Sequence, residues 1–120
     1  MAEVLALVDD IFFQAKIAEA ARHAGVIVRT VANGEALLAE AQREAPRLIL
    51  VDLNARPSPR SPVEAIADLR AAGLTAPLIA FLSHVQVELA ERARNAGSTQ
   101  VLPRSQFSQN LATILAQAKS

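Results

Sequence analysis

The chain has 120 residues, of which 52% are hydrophobic, a length and apolar content that suit one domain with its own core. Its formal net charge is zero and aromatic residues make up only 3%, so nothing favours a nucleic acid as a direct partner. The chain contains no cysteine, which excludes disulfides and thiolate chemistry. It lacks a signal peptide and any apolar stretch of roughly 20 residues, so we expect a cytoplasmic protein without a membrane partner.

Short apolar runs alternate along the chain with alanine-rich stretches of helical period. Five of these runs are too short for helices and predict strands, at residues 4–8, 26–28, 48–51, 78–82 and 101–102. Each is followed by apolar residues at helical spacing, most regularly in the last stretch, at Phe107, Leu111, Ile114, Leu115 and Ala118. The alternation predicts an α/β fold, a doubly wound, five-stranded parallel sheet with five helices, in a single domain over residues 1–120.

One helix carries a strong start signal in the sequence. Ser61 precedes Pro62, and Glu64 follows three residues after the serine, which is the pattern of a capping box with proline at the first helical position. We therefore expect the third helix to begin at Pro62.

Polar side chains follow four of the predicted strands at the same end of the sheet. These are Asp9 and Asp10, Asp52, Ser83 and His84, and Arg104. Because the carboxyl ends of parallel strands form the ligand crevice of such sheets, we expect these side chains to converge. Neighbouring carboxylates repel one another, and a bound divalent cation or a raised pKa would relieve the repulsion. Mg²⁺ suits oxygen donors, and it would neutralise a phosphoryl group on Asp52 together with Ser83 and Arg104.

This arrangement resembles the receiver domains of two-component response regulators over the whole chain. The motifs are the acidic pair after the first strand, the hydroxyl residue after the fourth, Ala96-Gly97 before the fifth, and Leu50-Val51-Asp52-Leu53-Asn54. The resemblance implies a flavodoxin-like topology with strand order 2-1-3-4-5.

The resemblance also implies roles for individual residues. Asp52 would be the phosphoacceptor, and Ser83 would be the hydroxyl that follows the phosphoryl group on activation. Asp10, Asp52 and the carbonyl of Asn54, with Asp9 nearby, would bind Mg²⁺. The implied partners are a histidine kinase or phosphotransfer protein and a downstream protein. The implied role is phosphorelay signalling rather than enzymatic catalysis.

Three features depart from the receiver pattern. Arg104 replaces a lysine, Val101 replaces the switch aromatic, and residues 55–60 replace the usual loop after the phosphoacceptor. Arginine keeps the positive charge, but its planar guanidinium is not interchangeable with an ammonium at a fitted site. These changes favour an alternative function, a degenerate receiver that binds proteins without being phosphorylated.

The candidate residues also have plainer interpretations. Asp9 and Asp10 would serve a turn and a helix cap, and Ser83 would serve as an N-cap. Arg104 would be a surface charge, and His84 would be a solvated loop histidine. His23 is expected on the surface of the first helix.

Arg56 and Arg60 lie in the irregular loop beyond the third strand. They are either solubilising charges or cations, one of which folds over the acidic cluster and partly replaces the metal.

A small flavodoxin-like enzyme or nucleotide binder is a third class of function. The turn after the first strand, Asp9-Asp10-Ile11-Phe12, is acidic, and the chain has no glycine-rich phosphate-binding motif. The predicted elements use the whole chain, so its output has to pass through protein contacts or a longer polypeptide. The apolar last helix predicts at most a weak homodimer.

Overall fold

Residues 2–83 and 86–119, which this computed structural model describes, form five strands and six helices. The strands β1 to β5 are Val4–Leu7, Val28–Val31, Leu48–Asp52, Leu78–Leu82 and Gln100–Pro103. The helices α1 to α6 are Ile11–Ala24, Gly34–Arg43, Pro62–Ala71, Val87–Ala96, Arg104–Gln109 and Leu111–Ala116. No helix within the described ranges is long and apolar enough to cross a membrane.

All five strands are parallel, in the order β2-β1-β3-β4-β5, so the predicted topology is confirmed. Leu7 pairs with Val51 across β1 and β3, and Asp52 pairs with Phe81 across β3 and β4. This register brings the carboxyl ends of β1, β3 and β4 to the same end of the sheet, where the polar residues that follow these strands meet.

The sheet separates two layers of core, because successive side chains of a strand point to opposite faces. In β1, Val4 and Ala6 face the layer formed with α1, α5 and α6, whereas Leu5 and Leu7 face the layer with α2, α3 and α4. All four residues are buried, which explains why this strand appears in the sequence as an unbroken apolar run.

The second strand lies later in the chain than its apolar run predicts. Val26 lies just after the C-cap of α1, where its N–H donates to the carbonyl of Ala21, and Ile27 is 58% exposed. The strand itself contains the polar residues Arg29 and Thr30. It is an edge strand, and edge strands are only half covered, so an apolar-run criterion misplaces it.

The last predicted helix is two short helices that meet at Asn110, whose φ and ψ of −102° and 10° are not helical. The apolar face was predicted correctly, because the five apolar residues of that stretch are buried inside the chain: Phe107, Leu111, Ile114, Leu115 and Ala118. Because these side chains are buried in the core, they offer no exposed apolar face for a second copy of the chain, and the homodimer remains a prediction.

The helix starts differ in how well the sequence encodes them. The capping box at α3 is confirmed: the N–H of Glu64 donates to Oγ of Ser61, and the N–H of Ser61 donates to Oε1 of Glu64. The N-cap interpretation of Ser83 is wrong, because α4 begins at Val87 after Gln86.

Candidate functional site

Asp52 is the one charged residue among those described whose side chain is buried, with 2% of it exposed. It ends β3, and its two carboxylate oxygens have separate partners. Oδ1 accepts from the backbone N–H of Asn54 at 2.9 Å, and Oδ2 accepts from Nη2 of Arg104 at 2.9 Å. Burial raises the pKa of Asp52 above its ordinary value, and these two donors offset only part of that effect.

Arg104 is held in place by more than its ion pair. The structure places it against the carboxylates, with Nη1 also 3.8 Å from Oδ2 of Asp10. Its guanidinium carbon lies 4.9 Å from the ring centre of Phe13 and 5.8 Å from that of Phe81, within the range of cation–π attraction. Nε is buried and has no hydrogen-bond partner among the described residues. Charge, aromatic faces and partial burial therefore all favour this position of the guanidinium.

The aromatic floor under Arg104 is a cluster of three rings from α1, β4 and α5. Phe81 and Phe107 stack with ring centres 4.1 Å apart, and Phe13 lies 5.1 Å from Phe81. The sequence placed Phe107 on the apolar face of the last helix and Phe81 within a predicted strand. Sequence reasoning missed Phe13 and Phe81 as partners of the arginine, and their spacing in the sequence carries no signal of it.

The two acidic residues after β1, Asp9 and Asp10, have different partners. Asp10 is the N-cap of α1, since Oδ1 accepts from the N–H groups of Phe12 and Phe13 at 2.9 and 3.3 Å. The plainer interpretation of Asp10 therefore applies, but Oδ2 still faces Arg104. Asp9 faces the loop after β3, where its Oδ2 accepts from the N–H of Arg56 at 3.0 Å.

The two loop arginines behave differently from each other. Arg56 reaches Asp9 with Nε at 3.5 Å, but its side chain is 90% exposed, so the contact is weak. Arg60 turns away from the acidic cluster and pairs with Asp68 and Glu64 on α3, at 2.8 and 3.6 Å. The interpretation of Arg60 as a stand-in for a metal is therefore wrong.

Asn54 joins the loop after β3 to the loop after β4. Its Oδ1 accepts from the N–H of Ser83 at 2.8 Å, and its Nδ2 donates to Oε1 of Gln86 at 2.9 Å. Ser83 is exposed next to this junction. Sequence reasoning missed Gln86, which carries no motif. His84 lies outside the described residues.

The donor atoms suit a small divalent cation. Within the described part of the chain, no three or more His, Cys, Asp or Glu side chains form a group able to hold a metal ion. However, Asp10 and Asp52 both direct an oxygen at one cationic group, the guanidinium of Arg104. Their carboxylate oxygens, and the carbonyl of Asn54 that the resemblance adds to them, are of the donor type that Mg²⁺ accepts together with water. The residues therefore fit the metal by donor chemistry, with Asp9 turned towards Arg56.

Val101 lies where the resemblance to receivers predicts a switch aromatic. Its side chain is only partly buried, against the layer of core that contains α4. An open groove of about 170 Å³ lies beside it, lined by Leu82, Ser83, Gln86, Val87, Ala90, Arg94, Val101 and Pro103.

Comparison with known proteins finds similarity in structure rather than in sequence. No protein-family model matches the chain, and no curated protein sequence matches it. The receiver domain of NtrX from Brucella abortus is 19% identical and superposes with a TM-score of 0.84, over 96% of both chains. The chemotaxis response regulator CheY4 of Vibrio cholerae is 24% identical, with a TM-score of 0.83 over 99% of both chains.

A longer NtrX structure from Brucella abortus is matched over only part of its length. At 20% identity and a TM-score of 0.84, the match covers 98% of this chain but only 27% of the NtrX chain. The present chain therefore spans about a quarter of that protein. At these identities the likeness establishes the fold. The resemblance to response regulator receiver domains is confirmed at that level, and the chain has the receiver fold.

Proposed function

We propose that this chain is a signalling receiver of the two-component type, in which Asp52 accepts a phosphoryl group with the help of Mg²⁺. The observation that carries the proposal is the convergence of Arg104 and Asp10 on the Asp52 end of the central strand β3. The receiver fold supports it. In this proposal the protein is cytoplasmic, takes part in signalling rather than catalysis, and receives its phosphoryl group from a histidine kinase or phosphotransfer protein.

The transfer step assigns one task to each residue. A carboxylate oxygen of Asp52 forms a bond to phosphorus while the phosphorus–nitrogen bond of a donor histidine breaks and leaves its electron pair on the imidazole. Mg²⁺, when bound, supplies positive charge to the phosphoryl oxygens, and Asp10, Asp52 and the carbonyl of Asn54 would hold it. Arg104 already donates to Asp52 at 2.9 Å and would donate to the incoming oxygens.

The route from Asp52 to a downstream protein would run through the loop after β4. Ser83 would supply a hydroxyl to the phosphoryl group, and its N–H is bonded to the side chain of Asn54. The same side chain bonds Gln86, the residue before α4. A change at Asp52 would therefore alter the start of α4, beside the groove that Val101 helps to line.

A second function is favoured by the closure of the site. The Asp52 side chain is 2% exposed and already paired with Arg104, and Val101 is too small to act as an aromatic switch. These observations favour a degenerate receiver that binds a protein partner without being phosphorylated.

Acetyl phosphate with Mg²⁺, followed by intact mass and amide NMR, separates the two functions. We expect one phosphoryl adduct on the wild type, its loss in Asp52→Asn, and its retention in Asp68→Asn, a surface carboxylate on α3 that pairs with Arg60. Amide shifts that spread to α4 would support the switch. If no adduct forms under any of these conditions, the degenerate receiver is the better description.

A further inference from the structure

The acidic site already contains a cation that belongs to the chain. The guanidinium of Arg104 lies between the two carboxylates assigned above to Mg²⁺, with Nη2 at 2.9 Å from Asp52 and Nη1 at 3.8 Å from Asp10. Each of these oxygens faces the guanidinium, whereas the second oxygen of each carboxylate accepts backbone N–H groups. A metal ion and the guanidinium would therefore compete for the same two oxygens.

The position of Arg104 is also more restricted than that of a surface arginine. Its side chain is 33% exposed, and its guanidinium lies over the rings of Phe13 and Phe81. A planar, weakly hydrated guanidinium is suited to such a site, whereas an ammonium on a flexible stem gains less from aromatic faces and withdraws more readily to solvent. These contacts therefore stabilise the arginine at the carboxylates.

We propose that Arg104 is the resident counter-ion of this site and that it competes with Mg²⁺ for Asp10 and Asp52. The inference rests on the metal ligands of the proposed function but not on phosphorylation. Two cations at one pair of carboxylates repel each other, so Mg²⁺ binds only as far as the guanidinium gives way. Arg104 thus sets the metal affinity of the site, and removing its charge strengthens Mg²⁺ binding.

The neighbouring arginine supplies a matched control. Arg56 also pairs with the acidic cluster, but its side chain is 90% exposed and touches Asp9 rather than Asp10 or Asp52. The backbone N–H of Arg56, which makes the shorter bond to Asp9, is unaffected by a change of side chain. Removing this charge should barely change the metal affinity.

The test is a titration of the full chain with Mg²⁺ alone, without a phosphodonor, followed by calorimetry and amide NMR. In Arg104→Met the side chain still packs on the aromatic rings, and we expect Mg²⁺ to bind at least tenfold more tightly, about 1.4 kcal/mol. Arg104→Lys should lie between wild type and Arg104→Met. The Mg²⁺ affinity of Arg56→Met should stay within about twofold of that of the wild type.

In the wild type, the side-chain Nε–H resonance of Arg104 should shift as Mg²⁺ displaces the guanidinium from Asp10 and Asp52. The proposal fails if Arg104→Met and Arg104→Lys, both folded, bind Mg²⁺ no more tightly than wild type. If Arg104→Met does not fold, Arg104→Lys and the Nε–H resonance decide. A resonance that stays fixed at saturating Mg²⁺ also overturns it.

The outcome is separable from that of the acetyl phosphate experiment. Tighter Mg²⁺ binding in Arg104→Met without an adduct on Asp52 supports the counter-ion and contradicts the proposed function. An adduct on wild type with equal Mg²⁺ affinities supports the proposed function and contradicts the counter-ion.

Discussion

Asn54 donates from Nδ2 to Oε1 of Gln86 at 2.9 Å, although 32 positions separate the two residues in the chain. The other end of the same amide accepts from the N–H of Ser83 at 2.8 Å. One side chain therefore holds together the loops after β3 and β4. Because the backbone of Asn54 also donates to Asp52, the residue connects the buried carboxylate to the start of α4.

The first prediction concerns this connection. Asn54→Ala removes both side-chain hydrogen bonds, so we expect it to lower the free energy of unfolding by about 1–2 kcal/mol. The first turn of α4 should exchange its amide hydrogens faster, because it loses its tie to the loop after β3. Urea unfolding and hydrogen exchange by NMR measure the two effects.

A double-mutant cycle with Gln86→Ala tests whether the bond itself is responsible. The two substitutions should be non-additive, because each removes the same bond to the other residue. Additive losses would show that Asn54 and Gln86 act independently.

The second prediction concerns the buried carboxyl of Asp52. In the unfolded chain it loses its proton near its ordinary pKa, whereas the folded protein keeps the proton to higher pH because burial raises the pKa. The wild type should therefore lose stability as the pH rises from the unfolded pKa through the raised folded pKa. Asp52→Asn does not titrate, so its gain in stability over wild type should be largest above that window and shrink towards acid pH.

Urea unfolding of both proteins across the acid to neutral range measures this difference. Other carboxyl groups are common to both proteins and cancel in the comparison. A stability difference that does not change with pH would mean that burial does not raise the pKa of Asp52.

The third prediction compares two adjacent phenylalanines. Phe13 is 8% exposed and lies under the Arg104 guanidinium, whereas Phe12 is 84% exposed. Phe13→Leu should cost about 1–2 kcal/mol of unfolding free energy, because it removes ring packing and the cation–π contact. Phe12→Leu should change it by less than about 0.5 kcal/mol. Equal losses in the two variants would contradict the role given to Phe13.

The fourth prediction concerns Gly97, which follows α4 with a φ of 125°. A Cβ there would lie 2.5 Å from Cγ of Arg70, whose guanidinium donates to the carbonyls of Gly97 and Leu74. Gly97→Ala should therefore cost about 1–3 kcal/mol, through backbone strain and displacement of the arginine.

Gly73→Ala is the matched control. Gly73 also has a positive φ, of 85°, but a Cβ there meets no atom within 4 Å. It should show backbone strain alone and so cost less than Gly97→Ala in thermal unfolding. Equal costs in the two variants would mean that the contact with Arg70 is unimportant.

The sequence predicted those parts of the fold that burial governs. The apolar runs of β1, β3 and β4 are fully buried in the sheet, so composition alone located them. The edge strand β2 is covered on fewer sides and contains Arg29, so the same criterion placed it too early. The break at Asn110 was missed because the apolar residues on both sides of it keep one helical spacing and one buried face.

At the site, strand order brought Asp10, Asp52 and Arg104 to one edge, and that placement followed from the sequence. The details did not. Arg56 contacts a particular carboxylate, and the side-chain amide of Asn54 donates to a particular acceptor. Both choices depend on loop packing between residues far apart in the chain. Such contacts leave no periodicity or motif to detect.

The two oxygens of Asp52 lead into different halves of the molecule. Oδ2 contacts Arg104, which lies on rings in the layer of core with α1, α5 and α6. Oδ1 contacts Asn54, whose side chain reaches the residue before α4, on the other side of the sheet. A single carboxyl group thus contacts residues that lead to both layers of core, and a substitution along one of these connections can alter that layer while leaving the other intact.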